Sequence, residues 1–370
     1  MSLSSRWQTL LDELRAQGRY RGLTPAAGID LSSNDYLGYS RRPHMERGTF
    51  SRSGTASRLL RGHESLWEEV ETELARWHGA EAALAMTSGY VANEGLLATV
   101  IDKNDWVASD RANHASIIDG LRLSKAARYV YIHNDLNCLE RGLRVAQERR
   151  SAGQELFIVT ESLFGMEGDM APLREIVALA ERYQAHMIVD EAHATGCFGA
   201  SGSGLVDRLG LRSRVLATVH TGGKALAVPG AYVVCSRLLK EYLVNRCRHL
   251  IYTTALPPQI AAWWLVTLAR VQADNVARER LHANAQEFRT ALSRIGIAPR
   301  GENYIVPIVL GDDGRAVAVA NRLQALGYDI RAIRPPTVPP GSARLRISIH
   351  ADHTPEMLQA VAAAVANASS

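Results

Sequence analysis

Lys224 stands in His220-Thr221-Gly222-Gly223-Lys224-Ala225, just after the apolar run 215–219. Upstream, a second apolar run, 187–189, ends in Asp190-Glu191-Ala192-His193. An amine on one side, and a carboxylate with an imidazole on the other, therefore close two candidate strands. Pyridoxal phosphate chemistry asks for this set: a lysine to hold the cofactor's aldehyde and an acid to face its pyridinium nitrogen. His193 could then donate to the cofactor's phenolate oxygen. The Gly-Gly-Lys run also raises a phosphate-binding P-loop. Thr218 stands where that motif needs its first glycine, and Ala225 where it needs serine or threonine. A surface-loop lysine and a capping aspartate are the plainer readings of either residue alone.

Other residues extend the set. His114, in Asp110-Arg-Ala-Asn113-His114-Ala115-Ser116, falls at a strand-to-helix junction. Ligands of open α/β sheets bind at the carboxyl ends of strands. An imidazole there could stack on a cofactor ring or serve structure only. Thr87-Ser88-Gly89-Tyr90-Val91-Ala92-Asn93 joins a strand to a helix, where free amides would cradle a phosphate. A turn with an N-cap is the alternative. Thr221 adds a hydroxyl. Arg344 and Arg346 alternate on a candidate strand and so share a face. A buried pair of arginines needs anions, a substrate carboxylate being one candidate; solvated edge-strand charges are the other reading. The segment Ile333-Arg-Pro-Pro-Thr337-Val-Pro339 is stiffened by three prolines. It could wall an apolar channel, with Thr337 offering a hydroxyl. No dinucleotide fingerprint follows a strand, there is no G-x-S-x-G elbow, and His350 and His353 read as too isolated for a metal site.

These residues need a frame, and the hydrophobic pattern supplies one. Helices are expected at 66–77, 90–100, 115–123, 136–147 and 173–183. Strands are expected at 82–86, 106–109, 129–132, 156–160, 187–190, 215–219 and 231–235. Alternation at this spacing argues a mainly parallel sheet covered by helices on both faces. Residues 257–294 read as one long helical stretch. Then come strand 305–310, helix 316–326, strand 344–349 and helix 355–365, a small α/β domain. The expected division is an N-terminal helical arm and link over 1–43, a large cofactor-binding domain over 44–275, and a small C-terminal domain over 276–370. Residues 7–16 have helical periodicity, an amphipathic arm in want of a surface.

Composition narrows the class. The 370 residues carry 42 Lys+Arg against 38 Asp+Glu, and the basic residues are dispersed. Nucleic acid is not an expected partner. Cys138, Cys197, Cys235 and Cys247 form no C-x-x-C pair, so reduced cytoplasmic thiols are expected. No secretory leader and no membrane-spanning run of about 18 apolar residues are expected.

The chain resembles the α-oxoamine synthases, a fold-type I pyridoxal phosphate family. The resemblance rests on Ser33-Asn-Asp-Tyr-Leu-Gly38, Gly54-Thr-Ala-Ser-Arg58, Ser88-Gly-Tyr-Val-Ala-Asn93, His114-Ala-Ser116, Thr160-Glu-Ser-Leu-Phe164, Asp190-Glu-Ala-His193, Gly223-Lys-Ala225 and Ala343-Arg-Leu-Arg346. It implies a large domain with a mainly parallel seven-stranded sheet, a smaller C-terminal α/β domain and a homodimer. It implies that Lys224 holds pyridoxal 5'-phosphate, with Asp190 at the ring nitrogen, His193 at the phenolate oxygen and His114 on the ring. Gly89, Tyr90 and Thr221 would bind phosphate, joined by Thr253 or Thr254 of the partner subunit. Asn34 and Arg346 would meet the substrate carboxylate, and Arg19 and Arg21 the thioester. The segment 332–339 points to a branch joining L-alanine to a pimeloyl thioester, carried by coenzyme A or an acyl carrier protein. Gly165 departs from the family, which commonly has a serine there near the cofactor.

Overall fold

The computed structural model describes residues 2–43 and 49–369; the expected boundary at 43–44 adjoins residues outside that range. The chain divides into two compact units. One comprises Leu37–Phe164 and Met170–Arg278. The other takes the residues through Tyr36, the short segment Gly165–Asp169, and everything from Glu279 onward.

The first of these is built on seven strands: β1 (Ala82–Met86), β2 (Trp106–Asp110), β3 (Ala127–Tyr131), β4 (Leu156–Glu161), β5 (Ala185–Asp190), β6 (Ala217–Thr221) and β7 (Ala231–Cys235). Their order across the sheet is β1-β7-β6-β5-β4-β2-β3. β7 runs antiparallel to both neighbours and the other pairings are parallel. β1, β4, β6 and β7 are buried along their whole length. That is why β1, β4 and β7 are near-continuous apolar runs and not alternations; β6, Ala-Thr-Val-His-Thr, buries polar side chains that bond within the protein, Thr218 and His220 among them. β3, at the edge, is largely exposed. β6 begins two residues later than its apolar run suggests. Pairing with β5 starts at Ile188↔Ala217, after a short 3-10 turn at Arg212–Arg214, and the strand therefore extends through Thr221.

Helices Gly89–Val100 and Ala115–Ser124 pack closely on each other. Gly120 makes this possible, because a Cβ there would lie 3.0 Å from the Glu94 Cα and 3.1 Å from the Asn93 carbonyl oxygen. The long helical stretch is two helices, Pro258–Ala273 and Asn275–Arg294. Asp274 breaks it: its side chain accepts from the Ala277 amide at 3.0 Å, capping the second helix, and pairs with Arg42 at 2.8 Å.

The other unit holds a three-stranded antiparallel sheet in the order Ala332–Ile333, Ala343–Ser348, Ile305–Gly311, with helices Asp313–Ala325 and Pro355–Ser369. A two-residue strand at Ile29–Asp30 pairs in parallel with Tyr328–Asp329. The two-residue strands carry too short a pattern to be read from sequence. Helix Leu3–Ala16 buries none of its residues; Trp7 is 55% exposed.

Candidate active site

Lys224 follows β6 on a turn that only glycine permits. A Cβ on Gly222 would come within 2.4 Å of both the Trp264 ring and the Val228 carbonyl oxygen. The turn delivers the half-buried Lys224 Nζ to 2.8 Å from His193 Nε2. His193 lies just past β5, whose last residue is Asp190. The parallel pairing of β5 with β6 thus brings amine, imidazole and carboxylate to one sheet end.

Asp190 is 5% exposed, and its two oxygens are held separately. Oδ1 accepts from the Ala192 amide at 2.8 Å, and Oδ2 from Asn93 Nδ2 at 2.7 Å. Asn93 Nδ2 also donates to Ser116 Oγ at 3.0 Å. Ser116 Oγ lies 2.8 Å from His114 Nδ1, which accepts from the Ser116 amide as well. The four side chains make one continuous chain: Asp190, Asn93, Ser116, His114. Burial holds the His114 ring below the ordinary imidazole value; Asp190 pulls it upward, and the Lys224 ammonium pushes it further down.

Asn93 and Ser116, the two middle links, are not among the residues that the sequence singles out as candidates. Asn93 is four residues beyond Gly89 on helix Gly89–Val100, hence on the same face as the helix start. That spacing was the available signal.

The same helix start offers an anion cradle. Ser88 caps it, accepting from the Val91 amide, and Gly89 and Tyr90 occupy its first two positions. Thr221 closes one side: a Cβ on Gly89 would lie 3.6 Å from the Thr221 hydroxyl. Amides, a hydroxyl and the absence of a side chain at Gly89 suit a phosphate. The Tyr90 side chain points to Asp119 by a hydrogen bond and meets the His114 ring edge-on at 6.0 Å between centroids. Lysine, acid, imidazoles and cradle together fit pyridoxal phosphate. Thr253 and Thr254 line a small pocket with Arg58, Thr87 and His249. Thr254 is exposed and bridges to Ser57.

The remaining expected residues belong to the other unit. Arg346 is 6% exposed and donates from Nη2 to Asn34 Oδ1 at 2.8 Å and Tyr36 Oη at 3.2 Å, from Nη1 to Ser348 Oγ at 2.8 Å, and from Nε to the Gly165 carbonyl. All four acceptors are neutral. Asn34 Oδ1 also accepts from Tyr36 Oη, at 2.9 Å. Arg344, on the same face of the strand, instead pairs with Glu167 at 2.7 Å. Arg19 pairs with Asp313 at 2.6 Å, and Arg21 donates to the Pro335 carbonyl at 3.3 Å. Thr337 is exposed. His350 and His353 are not isolated: their rings stack at 4.6 Å, and with Asp352 they place ligand-type atoms within 4.8 Å of one another. Both ring nitrogens of His353 are already engaged, Nδ1 by the His350 amide and Nε2 by the Asp30 carbonyl. Among the described residues, no helix is long and apolar enough to cross a membrane.

Three comparisons bear on this geometry. A family model for class I and II aminotransferases matches residues 26–365. A relative from Chlorobaculum parvum named 8-amino-7-oxononanoate synthase is 43% identical over 377 residues, 95% of each chain. A serine palmitoyltransferase from S. paucimobilis, solved with bound PLP, superposes with a TM-score of 0.90 at 28% identity, over 100% of this chain and 98% of that one. An 8-amino-7-oxononanoate synthase from Francisella tularensis gives 0.74 at 27% identity, over 92% and 97%.

Proposed function

We propose that this chain, which belongs to the class I and II aminotransferase family and is a pyridoxal phosphate-dependent α-oxoamine synthase, condenses L-alanine with a pimeloyl thioester. The products are 8-amino-7-oxononanoate, carbon dioxide and a free thiol, a step of biotin biosynthesis. The observation that carries the reading is the Lys224–His193 contact at the sheet end that also holds the Asp190 chain. When bound, the cofactor draws electrons from the substrate's Cα, easing loss of first a proton and then carbon dioxide.

The residues take the following parts. Lys224 holds the cofactor at rest and, once released, its amine takes the Cα proton. Asp190 accepts from the cofactor's ring N–H and His193 donates to its phenolate oxygen. His114 packs against the ring face. Gly89, Tyr90 and Thr221 bind the phosphate, with Thr253 or Thr254 supplied by a second subunit. Arg346 receives the amino acid carboxylate. It is buried with no acid beside it among the described residues, so an incoming anion meets uncompensated positive charge. Asn34 has its oxygen occupied and its amide N–H groups to offer. Arg19 and Arg21 serve the thioester end, whether the carrier is coenzyme A or an acyl carrier protein. The exposed apolar face of helix Leu3–Ala16 and exposed Tyr252 support a homodimer, which sedimentation would register.

The similarity to serine palmitoyltransferase favours a second reading, another member of the same reaction class joining serine or glycine to a different acyl thioester. Steady-state assays of alanine, glycine and serine against pimeloyl, acetyl and long-chain thioesters decide between them. The first reading expects alanine with the pimeloyl thioester to be fastest. Glycine should remain a poor substrate, since one methyl group is discriminated by only ~1–3 kcal/mol. A faster reaction of serine or glycine with another thioester would overturn it.

A further inference from the structure

Asn93 has a single amide nitrogen, and that nitrogen donates twice, to Asp190 Oδ2 and to Ser116 Oγ. It is 3% exposed, and Ser116 is fully buried, so these contacts lie away from bulk solvent. Both hydrogens of the amide group are thereby committed. With its oxygen accepting from Asn93, the Ser116 hydroxyl has its own proton to direct at His114 Nδ1, 2.8 Å away. The Ser116 amide, 3.3 Å from the same nitrogen, reinforces that direction. His114 Nδ1 is thus an acceptor, and a neutral ring carries its proton on Nε2. At the other end, Asp190 has one donor on each oxygen. Its carboxylate plane is fixed while each oxygen keeps a lone pair.

We infer that Asn93 is a positioning residue: one amide group sets both the orientation of the Asp190 carboxylate toward a bound pyridinium N–H and the alignment of Ser116 and His114. The inference rests on the reading that Asp190 and His114 address pyridoxal phosphate. It explains why an asparagine stands inside a helix that otherwise turns alanine, leucine and glycine toward the core. A leucine there would fill the space and leave a buried carboxylate with one donor missing. It also gives Gly120 a purpose, since the close packing of the two helices brings Ser116 within reach of Asn93.

The test uses Asn93→Leu, which keeps the branched shape and the number of side-chain heavy atoms, and Asn93→Ala, which leaves room, so failure of one to fold leaves the other. Two readouts are taken on the full chain: the dissociation constant for pyridoxal phosphate, and the 15N signal of ring-labelled cofactor, which reports protonation of its nitrogen. Loss of one donor to a buried carboxylate should weaken cofactor binding about tenfold to a hundredfold and move the ring signal toward the unprotonated form. Ser116→Ala cuts only the His114 branch. It should leave the ring signal in place and alter the 15N signals of His114 in the apoprotein. A merely space-filling Asn93 would give Asn93→Leu unaltered affinity and an unaltered ring signal, and that result overturns the inference. Asp190→Asn is the control: if it too leaves the ring signal unmoved, the assignment of Asp190 has failed and the positioning role falls with it.

Discussion

Two buried carboxylates of the same unit, Glu71 and Asp190, are satisfied in opposite ways. Glu71 is answered inside the protein by two cations, Arg58 and Lys240, the latter at 2.7 Å, and also accepts from the Ala85 amide at 2.8 Å. Burial works against its charge, yet Arg58 and then Lys240 hold its carboxyl below the usual range. Among the described residues, Asp190 has only the neutral donors Asn93 and the Ala192 amide. The second unit repeats the contrast with the sign reversed: Arg344 has Glu167, whereas Arg346, two residues along the strand, has neutral acceptors only. A buried charge answered within the chain is structural. One held in place by neutral groups still has its field to offer a ligand, in the function proposed here a pyridinium for Asp190 and a carboxylate for Arg346.

The largest effect that could break this contrast lies at Asp190. Asp190→Asn should lower kcat by about a thousandfold, because an amide cannot hold the ring proton. Near-normal exchange of the alanine Cα proton in deuterated water would remove Asp190 from its role. Next, Arg346→Gln should raise KM for the amino acid by about tenfold to a hundredfold with a smaller change in KM for the thioester. An unchanged amino acid KM would make Arg346 a structural charge like Arg344.

Glu71→Gln sharpens the contrast from the other side. It strands two cations around a buried site and should cost about 3–5 kcal/mol of stability, read by urea unfolding. Cofactor affinity of the folded protein should stay as it was, and a large loss of affinity would blur the distinction drawn between the two acids.

The smallest expected effect concerns acid. His78 and His220 are buried and neutral, His220 stacked on Tyr232 and His78 tilted against both rings: burial pushes His78 down to about 3 and His220 well below the ordinary 6.5. The unfolded chain takes up their protons as pH falls through 6.5, while the folded chain does not until far lower. Stability therefore drops on acidification, by ~1.4 kcal/mol per pH unit for each histidine. Glu191, which burial pushes up to about 7, opposes this between 4.5 and 7, where the folded state holds the extra proton. Two histidines against one acid leave a net loss between roughly pH 6 and 4.5. His78→Gln should make that decline visibly shallower, and an unchanged slope would place the acid sensitivity elsewhere.

The lysine, the acid and the parallel sheet were legible because each leaves a local mark: an apolar run, then a polar residue where it ends. Asp190 and Lys224 can be paired from the sequence because strand ends gather at one edge of a parallel sheet. Asn93 was not legible as a partner of Asp190, since 97 residues separate them. Only the strand order, which sequence does not reveal, brings them together. Asp274 hid its helix break because an aspartate between two apolar helical patterns leaves the periodicity intact. The two arginines looked equivalent by alternation. Glu167, which separates their roles, lies 177 residues from Arg344.

The most direct test of the central claim is covalent mapping of the cofactor. The protein purified with pyridoxal phosphate is reduced with borohydride, digested, and its peptides are sequenced by mass spectrometry. The account predicts one stoichiometric pyridoxyl adduct on Lys224, lost in Lys224→Ala together with multiple turnover. A stoichiometric adduct on another lysine, or sustained turnover by Lys224→Ala, would contradict it.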